Sequence, residues 1–272
     1  MPLDELHRQV AVIALRAAAG YGFALGGGNA LIQHGVISRP TQDVDLFTDH
    51  ETGVLAASRA VEAALHEAGF QAERQDEAAG PAEIFPDIGQ GLAEWIITAP
   101  GGAQMVLQMA YFDRTREPVI TDVGPVLDLE DAVGGKVCAL ASRAYERDYL
   151  DTAAALERYS PAELIALARR LDPGLEGQDF AEAGRRLDQM PDYAFTSFGL
   201  SQQDVARLRE RFAAWPREPE AVAADTGEDI SGHLAPAPAG EQSARAAETA
   251  AGQPRSLRDV RQAEPDEPEI EP

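Results

Sequence analysis

The sequence predicts an α+β protein: a mixed α/β half, then an all-helical half and an acidic tail. Short apolar strand-like segments alternate with helix-like segments in the first half. From Leu129 onward, every segment has apolar residues at helical spacing. The last part is rich in Ala, Pro, Glu and Gly and cannot bury enough apolar surface to offset its ordering entropy. We therefore predict an α/β domain over 1–126, a helical domain over 127–216 and a disordered tail over 217–272.

The predicted elements of the first half follow from local patterns. Gly20 is a stop signal for the first helix, and Pro100-Gly101-Gly102 is typical of a hairpin turn. In order, we predict a helix over Leu3–Ala19, a strand over Phe23–Leu25, a helix capped by Asn29 and ending near Gly35, a strand over Val44–Phe47, a helix over Thr48–Ala68, and strands over Trp95–Thr98 and Met105–Tyr111.

The second half is predicted to be a helical bundle. Ser160 and Pro161 form a favourable N-cap and N1 pair for one of its helices. The predicted helices cover Leu129–Ala144, Arg147–Tyr159, Pro161–Leu171, Asp179–Met190 and Ser201–Ala214.

Composition excludes several classes of protein. The net charge of −23 argues against broad affinity for a nucleic-acid backbone. Cys138 is the single cysteine, so no internal disulfide forms. The sequence shows no signal peptide and no apolar stretch near the ~20 residues that a membrane span requires. We expect a cytoplasmic protein with no membrane partner.

Two segments 15 residues apart are the first candidates for a functional site. Gly26-Gly27-Gly28 lies between an apolar strand and a helix, where glycines let a phosphate approach the backbone. Asp43 and Asp45 lie two apart in the next strand, so both carboxylates share one face. Paired carboxylates suit Mg²⁺. The alternative for the aspartates alone is an edge strand that presents acid to solvent.

The lysine count adds a third candidate. Of the 23 basic residues, Lys136 is the single lysine. A compact ammonium differs chemically from a planar guanidinium, which suggests a position that arginine does not suit. The alternative is a chance lysine on a helix surface.

Four ordered motifs over roughly Tyr21 to Leu156 resemble the AbiEii/AbiGii toxin family of type IV toxin–antitoxin systems, within the polymerase-β-like nucleotidyltransferase superfamily. The motifs are Gly26-Gly27-Gly28-Asn29-Ala30-Leu31, Arg39-Pro40-Thr41-Gln42-Asp43-Val44-Asp45-Leu46-Phe47, Asp131-Ala132-Val133-Gly134-Gly135-Lys136-Val137-Cys138-Ala139-Leu140 and Arg147-Asp148-Tyr149-Leu150-Asp151. The resemblance implies a polymerase-β-like domain with a small mixed sheet.

The resemblance also implies roles for individual residues. The residues that would bind a nucleoside triphosphate are Gly27, Gly28, Asn29, Thr41 and Lys136. Asp43 and Asp45 would hold Mg²⁺. The residues that would serve catalysis are Asp43, Asp45, Lys136 and Asp148.

One position departs from the pattern expected of a two-metal site. Such sites usually use a third carboxylate on a neighbouring strand, and alternation places Gln108 there. Glutamine retains a metal-binding oxygen but cannot act as a base. Either Asp113, Asp148 or Asp151 substitutes, or transfer is slow or absent.

The expected function is Mg²⁺-dependent transfer of a nucleotide from an NTP to an acceptor, with RNA such as tRNA as the leading candidate. Transfer to a small molecule or a protein side chain is the second hypothesis, mildly favoured by the charge of −23. The third is a catalytically weakened nucleotide-binding module, because of Gln108. An antitoxin encoded alongside is an expected partner.

Overall fold

The computed structural model describes residues 3–75 and 91–224. Within these residues, a mixed seven-stranded sheet has the order β3-β4-β5-β2-β1-β7-β6. The strands are β1 (Ala24–Leu25), β2 (Asp43–Thr48), β3 (Gln71–Arg74), β4 (Leu92–Thr98), β5 (Gln104–Tyr111), β6 (Val119–Thr121) and β7 (Gly124–Val126). Strand β2 is parallel to β5, and β1 is parallel to β7, whereas the other neighbours are antiparallel.

The helices surround this sheet and then continue as a bundle. They are α1 (Glu5–Ala17), α2 (Gly27–Gln33), α3 (Gly53–Glu67), α4 (Leu129–Ser142), α5 (Glu146–Ala155), α6 (Pro161–Leu171), α7 (Gly177–Gln189), α8 (Asp192–Thr196), α9 (Gln202–Arg211) and α10 (Pro219–Ala224). The fold is thus α+β, as predicted. None of the helices in the described residues is long and apolar enough to cross a membrane.

Strict alternation gives the central strands two different faces. On β2, Val44, Leu46 and Thr48 are buried, while Asp43 and Asp45 lie on the other, partly open face. Strands β4 and β5 alternate in the same way, and α1 and α3 pack near the buried side. Because paired residues of adjacent strands point to the same side, the aspartates share their face with polar residues of β4 and β5.

Local capping sets several helix ends as predicted. Ser160 Oγ accepts a hydrogen bond from the Glu163 amide, and the Glu163 carboxylate accepts one from the Ser160 amide. Helix α6 therefore begins at Pro161, as its sequence predicts. The Pro100-Gly101-Gly102 turn also joins two antiparallel strands, β4 and β5.

Two predicted helix starts are wrong because side chains bind elsewhere in the fold. Gly26 is the N-cap of α2, so Asn29 lies inside the helix and does not cap it. Helix α3 begins at Gly53 instead of Thr48, because Thr48 is the last residue of β2 and its hydroxyl donates to the Tyr21 carbonyl. Strands β3, β6 and β7 and the short helices α8 and α10 were not predicted; their short patterns give little local signal.

The predicted start of the disordered tail at 217 is also too early. Arg217 donates two hydrogen bonds to the Asp188 carboxylate, both at 2.8 Å. Helix α10 then packs against α7 and buries Val222. The folded part therefore extends to about Ala224, since these contacts offset the ordering entropy of the short segment. The rest of the predicted tail, 225–272, lies outside the described residues.

Candidate active site

The glycine turn and the Asp-x-Asp strand meet directly. The Gly26 amide donates to the Asp45 carbonyl at 2.8 Å. Gly27 has a φ of +55°, and a Cβ on it would lie 1.7 Å from Asp45 Oδ2. Glycine is required there, because any side chain would occupy the position of the carboxylate and strain the backbone. The turn thus places a bare stretch of backbone against one of the two predicted metal ligands.

Gly28 and Asn29 connect the same turn to the start of β2. A Cβ on Gly28 would lie 2.6 Å from Thr41 Cγ2. Asn29 is fully buried; its amide nitrogen donates to the Asp43 carbonyl at 2.8 Å, and its oxygen accepts from the Thr41 hydroxyl at 2.6 Å. Asn29 and Thr41 therefore fix the backbone that carries Asp43. The structure gives both residues a positioning contact that residue type alone did not indicate.

The paired carboxylates disfavour each other's charge. The pKa of Asp45 is raised to about 6, chiefly by burial and then by the neighbouring charge of Asp43. Lys136, Arg147 and Arg143 oppose this shift through their positive charges. Arg147 Nη1 lies 3.3 Å from Asp43 Oδ2, in a pair that is about one third exposed on both sides. The site is therefore an acidic pair bordered by cations from α4 and α5.

Lys136 reaches the site through a buried carboxylate. Its Nζ lies 3.2 Å from Asp151 Oδ2, and the Asp151 side chain is fully buried. Arg39 donates two hydrogen bonds to the same carboxylate, at 2.8 and 2.7 Å. This three-residue cluster joins α4, α5 and the segment before β2. The positive charge of Lys136 opposes the rise in the pKa of Asp45.

Asp148 occupies a different position from the other predicted site residues. Its carboxylate is fully buried and accepts two hydrogen bonds from Arg143, at 2.9 and 3.1 Å. It also accepts a hydrogen bond from the Tyr145 amide at the start of α5. Asp148 thus contacts the site only through Arg143, whose charge acts on Asp45. A positioning role fits this geometry.

Gln108 occupies the position of the third carboxylate, as alternation predicts, and Glu94 lies next to it. Gln108 pairs with Asp45 across the parallel β2–β5 ladder, so the two side chains are neighbours on one face. On its other side Gln108 pairs with Glu94 of β4, and its amide nitrogen donates to Glu94 Oε2 at 2.9 Å. Glu94 was not predicted as a site residue, and its one signal in the sequence is its alternation with Ala93 and Trp95, which are buried. Asp113 is exposed beyond the end of β5.

The residues present suit a metal that arrives with a phosphate ligand. Among residues 3–75 and 91–224, no group of three or more His, Cys, Asp or Glu side chains is placed to hold a metal. Asp43 and Asp45 offer two carboxylates, and burial followed by the charge of Asp43 raises the pKa of Asp45, two effects that a bound cation would oppose. Mg²⁺ is commonly bound by one or two carboxylates plus substrate phosphates and water. The pair therefore fits a metal–nucleotide complex.

The glycine turn, the two strand carboxylates and the helices that follow them all lie within the residues that a nucleotidyltransferase family model matches. The model of the AbiEii family, a nucleotidyl transferase toxin of type IV toxin–antitoxin systems, matches residues 13–229. The chain belongs to this family. A comparison with curated protein sequences gives no match.

Solved structures of other proteins are similar to this chain. MenT4, a nucleotidyltransferase toxin from Mycobacterium tuberculosis H37Rv, superimposes with a TM-score of 0.52 at 16% sequence identity. The match covers 83% of this chain and 85% of MenT4. JHP933 from Helicobacter pylori gives a TM-score of 0.45 at 14% identity, covering 77% of this chain and 91% of that one. The likeness to MenT4 supports the fold of the sheet and helices together.

Proposed function

We propose that this protein is a Mg²⁺-dependent nucleotidyltransferase that moves a nucleoside monophosphate from an NTP to an acceptor, with RNA such as tRNA as the leading candidate. One observation carries the proposal: the glycine turn lies so close to Asp45 that a Cβ added to Gly27 would be 1.7 Å from Asp45 Oδ2. A triphosphate and its metal can therefore meet at one point. Membership of a nucleotidyltransferase toxin family supports the reaction class.

Each side chain has a chemical task in this proposal. Asp43 and Asp45 would hold the metal, which when bound supplies charge neutralisation at the reacting phosphate. Gly27 and Gly28 let the turn lie against Asp45 and Thr41, because a Cβ on either glycine would overlap those side chains. Phosphates bound at the turn would then lie beside the carboxylates. The attacking hydroxyl adds to the α-phosphorus in line with the departing pyrophosphate, so correct placement of both ends is the main contribution of the protein.

Lys136 is suited to two roles, one in stabilising the fold and one in binding the substrate. Its ammonium and the guanidinium of Arg39 both contact the Asp151 carboxylate. When Lys136 turns toward a phosphate, Asp151 keeps Arg39 as its bidentate partner and is not left as an unpaired buried charge. A flexible ammonium can make this movement more readily than a planar guanidinium fixed in a fork. This explains why a lysine serves at this position in an otherwise arginine-rich chain.

The weakest part of the catalytic set is the group that accepts the proton of the attacking hydroxyl. Glu94 joins Asp113, Asp148 and Asp151 as a candidate, because it lies beside Gln108 on the face of Asp45. Asp148 and Asp151 are already held by arginines, and Asp113 is exposed past the strand. Gln108 itself favours the second candidate function, a nucleotide-binding module with weak transfer activity.

The test is transfer of label from each of the four α-labelled NTPs, in the presence of Mg²⁺, to total cellular RNA. We expect label on RNA with wild-type protein, growth inhibition on expression, and loss of both with Asp43→Asn and Asp45→Asn. Label found only on protein or on a small molecule would replace the RNA acceptor by the alternative acceptor class. Nucleotide binding without any transfer would support the weakened module, and a Gln108→Glu variant that gains activity would strengthen that reading.

An antitoxin partner follows as a proposal from the same family membership. Co-expression of the neighbouring gene should relieve growth inhibition if the two form a toxin–antitoxin pair. Growth inhibition that persists under co-expression would contradict it.

A further inference from the structure

Tyr145 is an exposed aromatic residue in the turn between α4 and α5. Its exposed fraction is 47%, whereas Ala144 before it and Asp148 after it are buried. Ala144 has a φ of +52°, the single positive φ of a non-glycine residue in the described part of the chain. A left-handed alanine is strained by roughly 1–2 kcal/mol and persists only where the surrounding structure determines it. The turn therefore holds Tyr145 outward at an energetic cost.

The inner face of the Tyr145 ring is already supported. The Arg143 guanidinium lies 5.1 Å from the ring centroid, in a cation–π contact. Arg143 is in turn fixed by its two hydrogen bonds to the buried Asp148 carboxylate. The Tyr145 amide donates to the same carboxylate. Side chain and backbone of Tyr145 are thus both anchored to Asp148, and the ring is preorganised before any ligand binds.

Tyr145 belongs to the helical turn that contributes a cation to the site. It is the N-cap of α5. Arg147, two residues farther on, has its guanidinium 3.3 Å from Asp43 Oδ2. Two residues span at most about 7 Å between Cα atoms. Tyr145 and the residue that contacts Asp43 therefore lie in the same first turn of α5.

An exposed aromatic face on the turn that brings Arg147 to the proposed phosphate site suits a flat ring that is attached to a phosphate. Nucleobases stack on aromatic side chains without sequence preference, and an arginine on the far face adds to such a stack. A phosphate would instead require donors, which the ring face lacks. We propose that Tyr145, supported by Arg143, is a nucleobase-stacking platform of the active site. This inference rests on the proposed function, because it assigns the base and the proposed function assigns the phosphates.

The experiment separates the base from the phosphates by using ligands with and without a base. Dissociation constants are measured for non-hydrolysable Mg²⁺–NTP analogues, for inorganic triphosphate and for a short single-stranded RNA oligonucleotide. The variants are Tyr145→Ala and Tyr145→Phe. Tyr193→Ala is the matched control, because Tyr193 is a 75% exposed tyrosine on α8, away from the contacts described for the site.

We expect Tyr145→Ala to weaken binding of the base-containing ligand by about 5- to 150-fold, since stacking contributes about 1–3 kcal/mol per base. Inorganic triphosphate should bind equally to all variants, and Tyr145→Phe should resemble wild type because it keeps the ring. Weaker NTP binding assigns the platform to the incoming nucleotide, and weaker RNA binding assigns it to the acceptor.

Three results would overturn the platform. They are unchanged binding of both base-containing ligands to Tyr145→Ala, an equal loss for inorganic triphosphate, and an equal loss in Tyr193→Ala. Circular dichroism and melting temperature establish that each variant is folded, and the phenylalanine variant remains informative if the alanine variant is not. If the Tyr145 variants transfer nucleotide at the wild-type rate, the platform is refuted but the proposed function is not. Wild-type protein that binds no Mg²⁺–NTP refutes the proposed function.

Discussion

Replacement of Gly27 by alanine is the most direct perturbation of the proposed site. The added Cβ would lie 1.7 Å from Asp45 Oδ2, 2.7 Å from its Cγ and 3.1 Å from its Cβ. An ordinary contact begins near 3.4 Å, so the oxygen must retreat by about 1.7 Å, and rotation alone does not clear the nearer carbon atoms. The left-handed φ of +55° adds about 1–2 kcal/mol of backbone strain.

The expected effect on catalysis is larger than the effect on stability. A displacement of 1 Å in a catalytic group can reduce the rate by about 100-fold, so we expect kcat/KM for nucleotidyl transfer to fall by at least about 100-fold in Gly27→Ala. The melting temperature should fall by only a few degrees. Gly20→Ala is the control, because no atom lies within 4 Å of an added Cβ there and its φ is ordinary. If Gly27→Ala had the same kcat/KM as wild type, the placement of Asp45 against this turn would be refuted.

Three further predictions concern charge. The pKa of Asp45 is raised from 3.8 to about 6, so between these pH values the folded state binds more protons than the unfolded state, and stability falls as pH rises. Asp45→Asn should remove this pH dependence of the free energy of unfolding, measured by urea titration without metal. An unchanged slope against pH would contradict the prediction. Asp151→Asn should lower the free energy of unfolding by about 3–5 kcal/mol, because Lys136 and Arg39, both partly buried, lose their fully buried counter-charge. Asp188→Asn, where the carboxylate is 54% exposed, should change it by less than about 1 kcal/mol, and equal effects would refute the burial argument. Gln108→Glu removes the hydrogen-bond donor to Glu94 and places two carboxylates side by side. The melting temperature of this variant should therefore fall at pH 8 and recover at pH 5. Equal melting temperatures at the two pH values would count against the contact between residues 108 and 94.

Local patterns were sufficient for the parts of the site that lie close together in sequence. Alternation along β2 correctly placed Asp43 and Asp45 on one face, because a buried strand leaves only that face for charge. The glycine turn was located by composition, and its positive φ at Gly27 agrees with the need for glycine. The resemblance over four motifs then predicted the family to which the chain belongs.

Contacts between distant segments could not be read from the same patterns. Arg39 and Asp151 are 112 residues apart, and neither residue type indicates the other as its partner. Glu94 reaches the site because strand order places β4 next to β5, which no local periodicity specifies. Asparagine is a residue type that favours the N-cap position, but the buried hydrogen bonds of Asn29 with β2 and Thr41 outweigh that preference.

The position of Lys136 allows the site to be probed by chemical labelling. Since it is the chain's single lysine and its side chain is only 13% exposed, amine-acylating reagents meet one side-chain target, and that target belongs to the proposed nucleotide site. Its rate of acylation should report directly on whether the ammonium is engaged by Asp151, covered by a bound triphosphate or open to solvent. Occupancy of the site could thus be followed by mass spectrometry on unmodified protein, without a reporter group or an assay of turnover.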